Sequence, residues 1–209
     1  MRKAAAPSSS CHNREGSEPL PGRKRLLQRS LLKWFRTHGR RYPWRAHPTP
    51  YRVFIAEFML QRTGAAQVLP VYRRFIRLFP TLKKAAGARI QQLRGVLRPL
   101  GRVERAPVLR RALNQLGTQF AHRIPTSSSE LRRIPGIGQY TARAIACFGY
   151  GQRLALLDPT IYRLVSRILA IKSRKQRIHT DAGLWRLVDG MLPARNYKEF
   201  NLALLDVGA

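Results

Sequence analysis

Apolar residues recur along this chain at helical spacing, and no stretch alternates apolar with polar as a half-buried strand must. Leu27, Leu31, Leu32, Trp34 and Phe35 mark one helix, closed by the turn Thr37-His38-Gly39. The segment from Tyr42 to Tyr51 is aromatic and interrupted by proline, and reads as a loop into the next helix. Residues 52 to 62 are apolar nearly all round, the pattern of a helix buried on every side. Val68, Val71, Tyr72, Phe75, Ile76 and Phe79 mark another, closed by Pro80, and residues 88–98 and 107–121 read as two more, separated by Pro99 and Gly101. With 44% hydrophobic residues, enough for a core, these patterns predict an all-α fold.

Charge narrows what such a fold is for. Forty Lys and Arg stand against ten Asp and Glu, a formal net charge of +30. Residues 1–25 are rich in Ala, Ser, Pro and Arg and read as a disordered basic arm of net charge +4, so the remaining +26 belongs to the part that folds. A folded body that repels itself this strongly calls for a polyanion, and a nucleic-acid backbone is the natural one. No apolar run approaches the roughly 20 residues needed to cross a bilayer, and the opening residues lack the apolar segment of a secretory signal. An intracellular, nucleoid-associated monomer is expected. Two cysteines, Cys11 and Cys147, make neither a disulfide framework nor a four-thiolate metal site.

The most specific local signal is Leu131-Arg132-Arg133 followed by Ile134-Pro135-Gly136-Ile137-Gly138-Gln139-Tyr140-Thr141. A short helix runs into a turn of two glycines around one apolar residue, and an apolar helix follows from about Tyr140 to Phe148. The pattern predicts a helix-hairpin-helix over about residues 129–148. Glycine permits a tight turn and close backbone approach to a ligand. The second helix then begins with unpaired N–H groups aimed at an anion. An ordinary αα-hairpin turn is the plainer reading of the same residues. A hairpin of this kind grips backbone phosphates and reads no base by itself.

Acidic residues are scarce enough to ask what each does. Glu130, Asp181 and Glu199 sit near expected helix starts, where negative charge is favourable. Glu57 lies among Phe54, Ile55, Ala56, Phe58, Met59 and Leu60. Burial there raises its pKa toward that of a general acid, whereas pairing with a cation such as Arg62 lowers it. Asp158 precedes Pro159-Thr160-Ile161, the pattern of a helix N-cap with proline at the first position, and such a cap also fixes a carboxylate at a cleft edge. Asp206 reads as structural.

Taken in order, these blocks resemble the helix-hairpin-helix DNA glycosylase superfamily, in the branch of endonuclease III, the A/G-mismatch adenine glycosylases and the archaeal-type T/G-mismatch thymine glycosylases. The resemblance runs from about Leu31 to Ala209. It rests on Arg41-Tyr42-Pro43-Trp44-Arg45, on Pro50-Tyr51 through Glu57 to Gln61-Arg62-Thr63, on the hairpin, on Leu157-Asp158, and on the block from Phe200 to Ala209. The 20 residues from Gly138 to Asp158 also match the family's spacing.

The resemblance implies two helical subdomains around a cleft, one of residues 26–52 with 156–209 and the other of residues 53–155. It makes Asp158 the catalytic aspartate and Glu57 the general acid of the adenine branch. Tyr140 falls where lyase-active relatives carry the lysine that forms a Schiff base, so it implies a monofunctional enzyme that hydrolyses the N-glycosidic bond of a flipped, mispaired base in double-stranded DNA. Pro135, Gly136, Ile137, Gly138, Gln139 and Thr141 are then expected on the DNA, with Gln61, Arg62 and Thr63 at the orphaned base. Tyr140 and Arg62, and the absence of paired tyrosines in residues 100–106, lean toward thymine or uracil opposite guanine. Met59-Leu60-Gln61 and Glu57 lean toward adenine opposite guanine or 8-oxoguanine. The family's [4Fe–4S] cluster takes four cysteines beyond the position matched by Ala209, and those ligands are missing here. The sequence is therefore a fragment or a member without the cluster loop, and no cofactor is expected in it. A non-catalytic DNA-binding protein with the same hairpin is the alternative.

Overall fold

The computed structural model describes residues 21–101, 104–173 and 175–209, and these form twelve α-helices with no strand among them. The arm expected over residues 1–25 lies outside the described residues as far as 20. From Pro21 onward the chain is already helical, so residues 21–25 belong to the first helix.

At the centre is α3 (Pro50–Leu60), the third helix after α1 (Pro21–His38) and α2 (Pro43–Ala46). Thr49 caps it by accepting from the Arg52 N–H at 3.3 Å, Pro50 occupies its first turn, and Val53 through Met59 are all buried. Seven buried residues in succession require neighbours on every side. These are α2, α4 (Ala65–Leu78), α9 (Gln139–Ala144) and the wider helical turn Ile145–Gly149 that continues α9. Residues 42–51, read as a loop, hold α2, a single turn too short to leave a periodicity in the sequence.

α5 (Leu82–Ala86) and α6 (Ile90–Leu97) pack on α7 (Arg105–Gln119), and α8 (Ser128–Leu131) packs on α9 to complete the hairpin. α10 (Pro159–Leu169) and α12 (Tyr197–Gly208) pack together, α12 also covers α1, and α11 (Ala182–Met191) precedes it. The two ends of the described chain thus meet in one group of helices and the middle forms another, with one apolar core running through both.

Residues 151–158 join the two groups without helix or strand, so side chains must satisfy their buried backbone. Asn201, fully buried on α12, accepts from the Leu156 N–H at 3.1 Å and donates to the Leu154 carbonyl at 2.9 Å. Asp189 accepts from the Ala155 N–H at 2.9 Å, and the Arg143 Nε donates to the Ala155 carbonyl at 2.7 Å. These bonds fix where Asp158 emerges. Replacing Asn201 with leucine leaves two main-chain groups stranded, and denaturant unfolding should register a loss of roughly 2–4 kcal/mol.

Candidate active site

A cleft of about 1090 Å³ opens where the two groups of helices face each other. Glu57 from α3, Tyr140 from α9 and Asp158 at the start of α10 all line it, together with Gln61, Arg62, Thr63, Gly136, Gly138, Gln139 and Thr141. Most of the residues singled out in the sequence, spread over a hundred positions, therefore meet in one cavity. Ile137 is turned into the core instead, and Pro135 stands outside the lining.

The hairpin turns on Gly136, whose φ of +79° belongs to the left-handed region. A β-carbon there would lie 2.8 Å from Cγ1 of Val108 and 3.0 Å from Cε2 of Phe58, so both conformation and space demand glycine. α9 begins after Gly138, which supplies no side-chain cap, so its first N–H groups have no partner within the helix. The amide of Gln139 lies 3.1 Å from both the His179 carbonyl and the Trp185 indole nitrogen. The Gln61 Nε2 donates to the Gly136 carbonyl at 2.8 Å, tying the end of α3 to the hairpin.

Asp158 is the N-cap of α10 and accepts from the Ile161 N–H at 2.7 Å. Burial raises its pKa, while the Ile161 and Thr160 N–H groups, the Thr160 hydroxyl and the Arg163 charge pull it back. Glu57 is only 7% exposed, and burial lifts its pKa to about 7. The opposing charge that acts on it is Arg45 rather than the neighbouring Arg62, and the Asp158 carboxylate adds to the rise. The phenol of Tyr140 is pushed well above its usual value by burial first and then by Glu57 and Asp158, so it stays a neutral hydrogen-bond donor.

Arg45 is itself spoken for. It makes a two-pronged pair with Asp206, Nη1 at 2.8 Å and Nη2 at 2.9 Å, and the Arg40 N–H also donates to that carboxylate at 2.9 Å. Asp206 anchors the cleft wall and so fits its structural reading. It also leaves Arg45 a weaker counter-charge for Glu57, which is why burial dominates there. The Arg45 guanidinium lies over the Tyr42 ring at 5.2 Å, and Tyr42 stacks on Trp44 with centroids 4.7 Å apart. Both rings line the cleft. In the sequence Tyr42, Trp44 and Arg45 stand out only as members of a block. Their signal was a cation directly after two aromatics, upstream of an acid in an apolar run.

The profile of the HhH-GPD superfamily of base excision DNA repair proteins matches residues 55–189, well over half the chain. This chain belongs to that superfamily. It is 36% identical over 190 residues to a thymine-DNA glycosylase of Aeropyrum pernix, covering 89% of this chain and 85% of the relative. With a thymine/uracil-DNA glycosylase of Pyrobaculum aerophilum it shares 33% identity over 181 residues, 85% of this chain and 79% of that one. An adenine DNA glycosylase of Mycobacterium tuberculosis is 32% identical over 199 residues, but this chain spans only 63% of its length. Among solved structures, a thermostable thymine-DNA glycosylase superposes with a TM-score of 0.81 at 23% identity, covering 90% of this chain and 87% of that one. A trapped endonuclease III–DNA complex superposes with a TM-score of 0.75 at 16% identity, covering 90% and 85%.

The [4Fe–4S] cluster implied by the HhH-GPD resemblance does not fit the residues of this sequence. Four thiolates are needed and the sequence has two cysteines. Cys147 is fully buried, its thiol pKa raised to about 11 by burial, and its sulfur accepts from the Asn201 Nδ2 at 3.5 Å. Among the described residues no group of His, Cys, Asp and Glu gathers as a metal site, and no helix is long and apolar enough to cross a membrane.

Proposed function

We propose that this HhH-GPD protein draws a thymine or uracil mispaired with guanine out of duplex DNA and hydrolyses its N-glycosidic bond, leaving an abasic site. One observation carries the reading: an aspartate anion, a glutamic acid of pKa about 7 and a neutral tyrosine face one another in a cleft that begins at the hairpin. The identities with thymine and thymine/uracil glycosylases, over most of each relative's length, support the choice of base.

Phosphates lie along the Gly136–Gly138 turn and the basic surface, and the extruded base enters the cleft toward Tyr42 and Trp44. As the C1′–N1 bond breaks, positive charge grows on the sugar, and the Asp158 carboxylate stabilises it. Water adds to C1′ and its proton passes to a carboxylate. The pyrimidine departs as an anion, which hydrogen bonds from the Tyr140 phenol and the protonated Glu57 stabilise. Tyr140 offers no amine, so no Schiff base forms and the strand stays intact.

A second reading, adenine opposite guanine or 8-oxoguanine, is favoured by one feature. A carboxylic acid of pKa about 7 suits protonation of a departing purine at neutral pH. Chromatography of the bases freed from duplexes with T/G, U/G, A/G and A/8-oxoG pairs separates the two. Free thymine and uracil, with strand breaks only after alkali, are expected. Free adenine would shift the assignment to the second reading, and no base from any duplex would overturn both.

A further inference from the structure

The turn that closes α3 is held from below by a buried arginine that neither reading of the site uses. Arg105, the first residue of α7, is 6% exposed. Its Nη1 donates to the Met59 carbonyl at 2.9 Å, and its Nη2 donates to the Gln61 carbonyl and, at 2.6 Å, to Oγ1 of Thr63. One guanidinium thus gathers three acceptors from five consecutive residues.

Between those acceptors stands Arg62, exposed, with a φ of +55° in the left-handed region. A non-glycine residue is not held there by its own preference. The turn needs an outside clamp, and the flat five-donor fork of arginine supplies one that lysine does not match. Arg105 is buried and stands at the N-terminal end of α7. From the clamped turn, the Gln61 Nε2 continues to the Gly136 carbonyl at 2.8 Å, so α7, the turn and the hairpin are joined in series.

We infer that Arg105 is a positioning residue that sets the Gln61–Arg62–Thr63 turn at the height where it fills the gap left by an extruded base. The inference rests on the function proposed above. Arg105 touches neither the base nor the sugar, and it acts through the turn on opening the duplex. It has no part in bond cleavage once the base is in the cleft.

A single-stranded oligonucleotide has no gap to fill, which gives the test its internal reference. Single-turnover uracil release is measured for Arg105→Lys and wild type on a U/G duplex and on single-stranded uracil DNA. The duplex-to-single-strand ratio is expected to fall roughly tenfold or more in the variant, since small displacements of a positioning group carry costs of that order. A fluorescent 2-aminopurine beside a T/G pair reports unstacking on binding without any bond cleavage, and its rise at saturating protein should shrink in parallel. Arg105→Gln, which keeps an amide donor in place of the fork, should shift the ratio the same way and carries the test if Arg105→Lys does not fold. Equal loss on both substrates, or an unchanged ratio with unchanged fluorescence, overturns the inference. If wild type frees no uracil at all, the proposed function falls, and the 2-aminopurine signal still decides the role of Arg105.

Discussion

Asp158→Asn should bind mispaired duplex about as well as wild type yet release base at least a thousandfold more slowly. Asparagine caps a helix as well as aspartate does, so its side-chain oxygen keeps the bond from the Ile161 N–H and α10 keeps its start. What disappears is the anion facing the developing positive charge on the sugar. Removing one preorganised electrostatic contact costs about 10²–10³ in rate, and here the lost group is a full charge in a half-buried site. Binding has no reason to weaken, because one negative charge leaves a surface that must approach phosphates. Thermal unfolding should stay level or rise slightly, since burial already disfavours the ionised carboxyl. Asp158→Ala makes the contrast: it loses the cap as well, about 1 kcal/mol of stability. Single-turnover release and fluorescence anisotropy on the same T/G duplex provide the comparison, and release by the asparagine variant within tenfold of wild type would remove Asp158 from the chemistry.

Some of this site was legible in the sequence because it depends on near neighbours. The Gly136 turn follows from the backbone freedom of one residue, and the Asp158 cap from an aspartate set before proline. The burial of Glu57 follows from an apolar run on both sides of it. The sign of its pKa shift did not follow, because it depends on which cation stands opposite. The sequence neighbour Arg62 is exposed, whereas Arg45 comes from another helix and is already bound by Asp206, 161 positions away. Asn201 and Arg105 are harder still. Each is held mostly by main-chain atoms about 45 positions distant, and main-chain atoms leave no mark on a sequence. The all-α fold was readable because helical periodicity is local, and the single turn of α2 escaped because it is shorter than that period.

Glu57→Gln should make the protein more stable at alkaline pH and leave it nearly unchanged at pH 4.5. Folding raises the Glu57 pKa from about 4.5 to about 7, so between those values the folded state holds a proton that the unfolded state gives up. Wild-type stability therefore falls as pH rises through that window and levels off above about 7, where both states are ionised and the folded one carries a buried anion. Glutamine has no proton to lose. The gap in unfolding free energy should open from near zero at pH 4.5 to about 3 kcal/mol at pH 8.5, as an upper figure for a shift of this size. Denaturant titrations across this range give the gap directly, and a flat difference would mean that the carboxyl is not held in a water-poor site. Base release tracks the same proton. The wild-type rate should decline as pH climbs past about 7 and the acid form empties, while the glutamine variant, slower throughout, should lose that decline. Stability gained by the glutamine and activity lost by it thus share one cause: α3 keeps Glu57 away from water so that it can hold its proton at neutral pH.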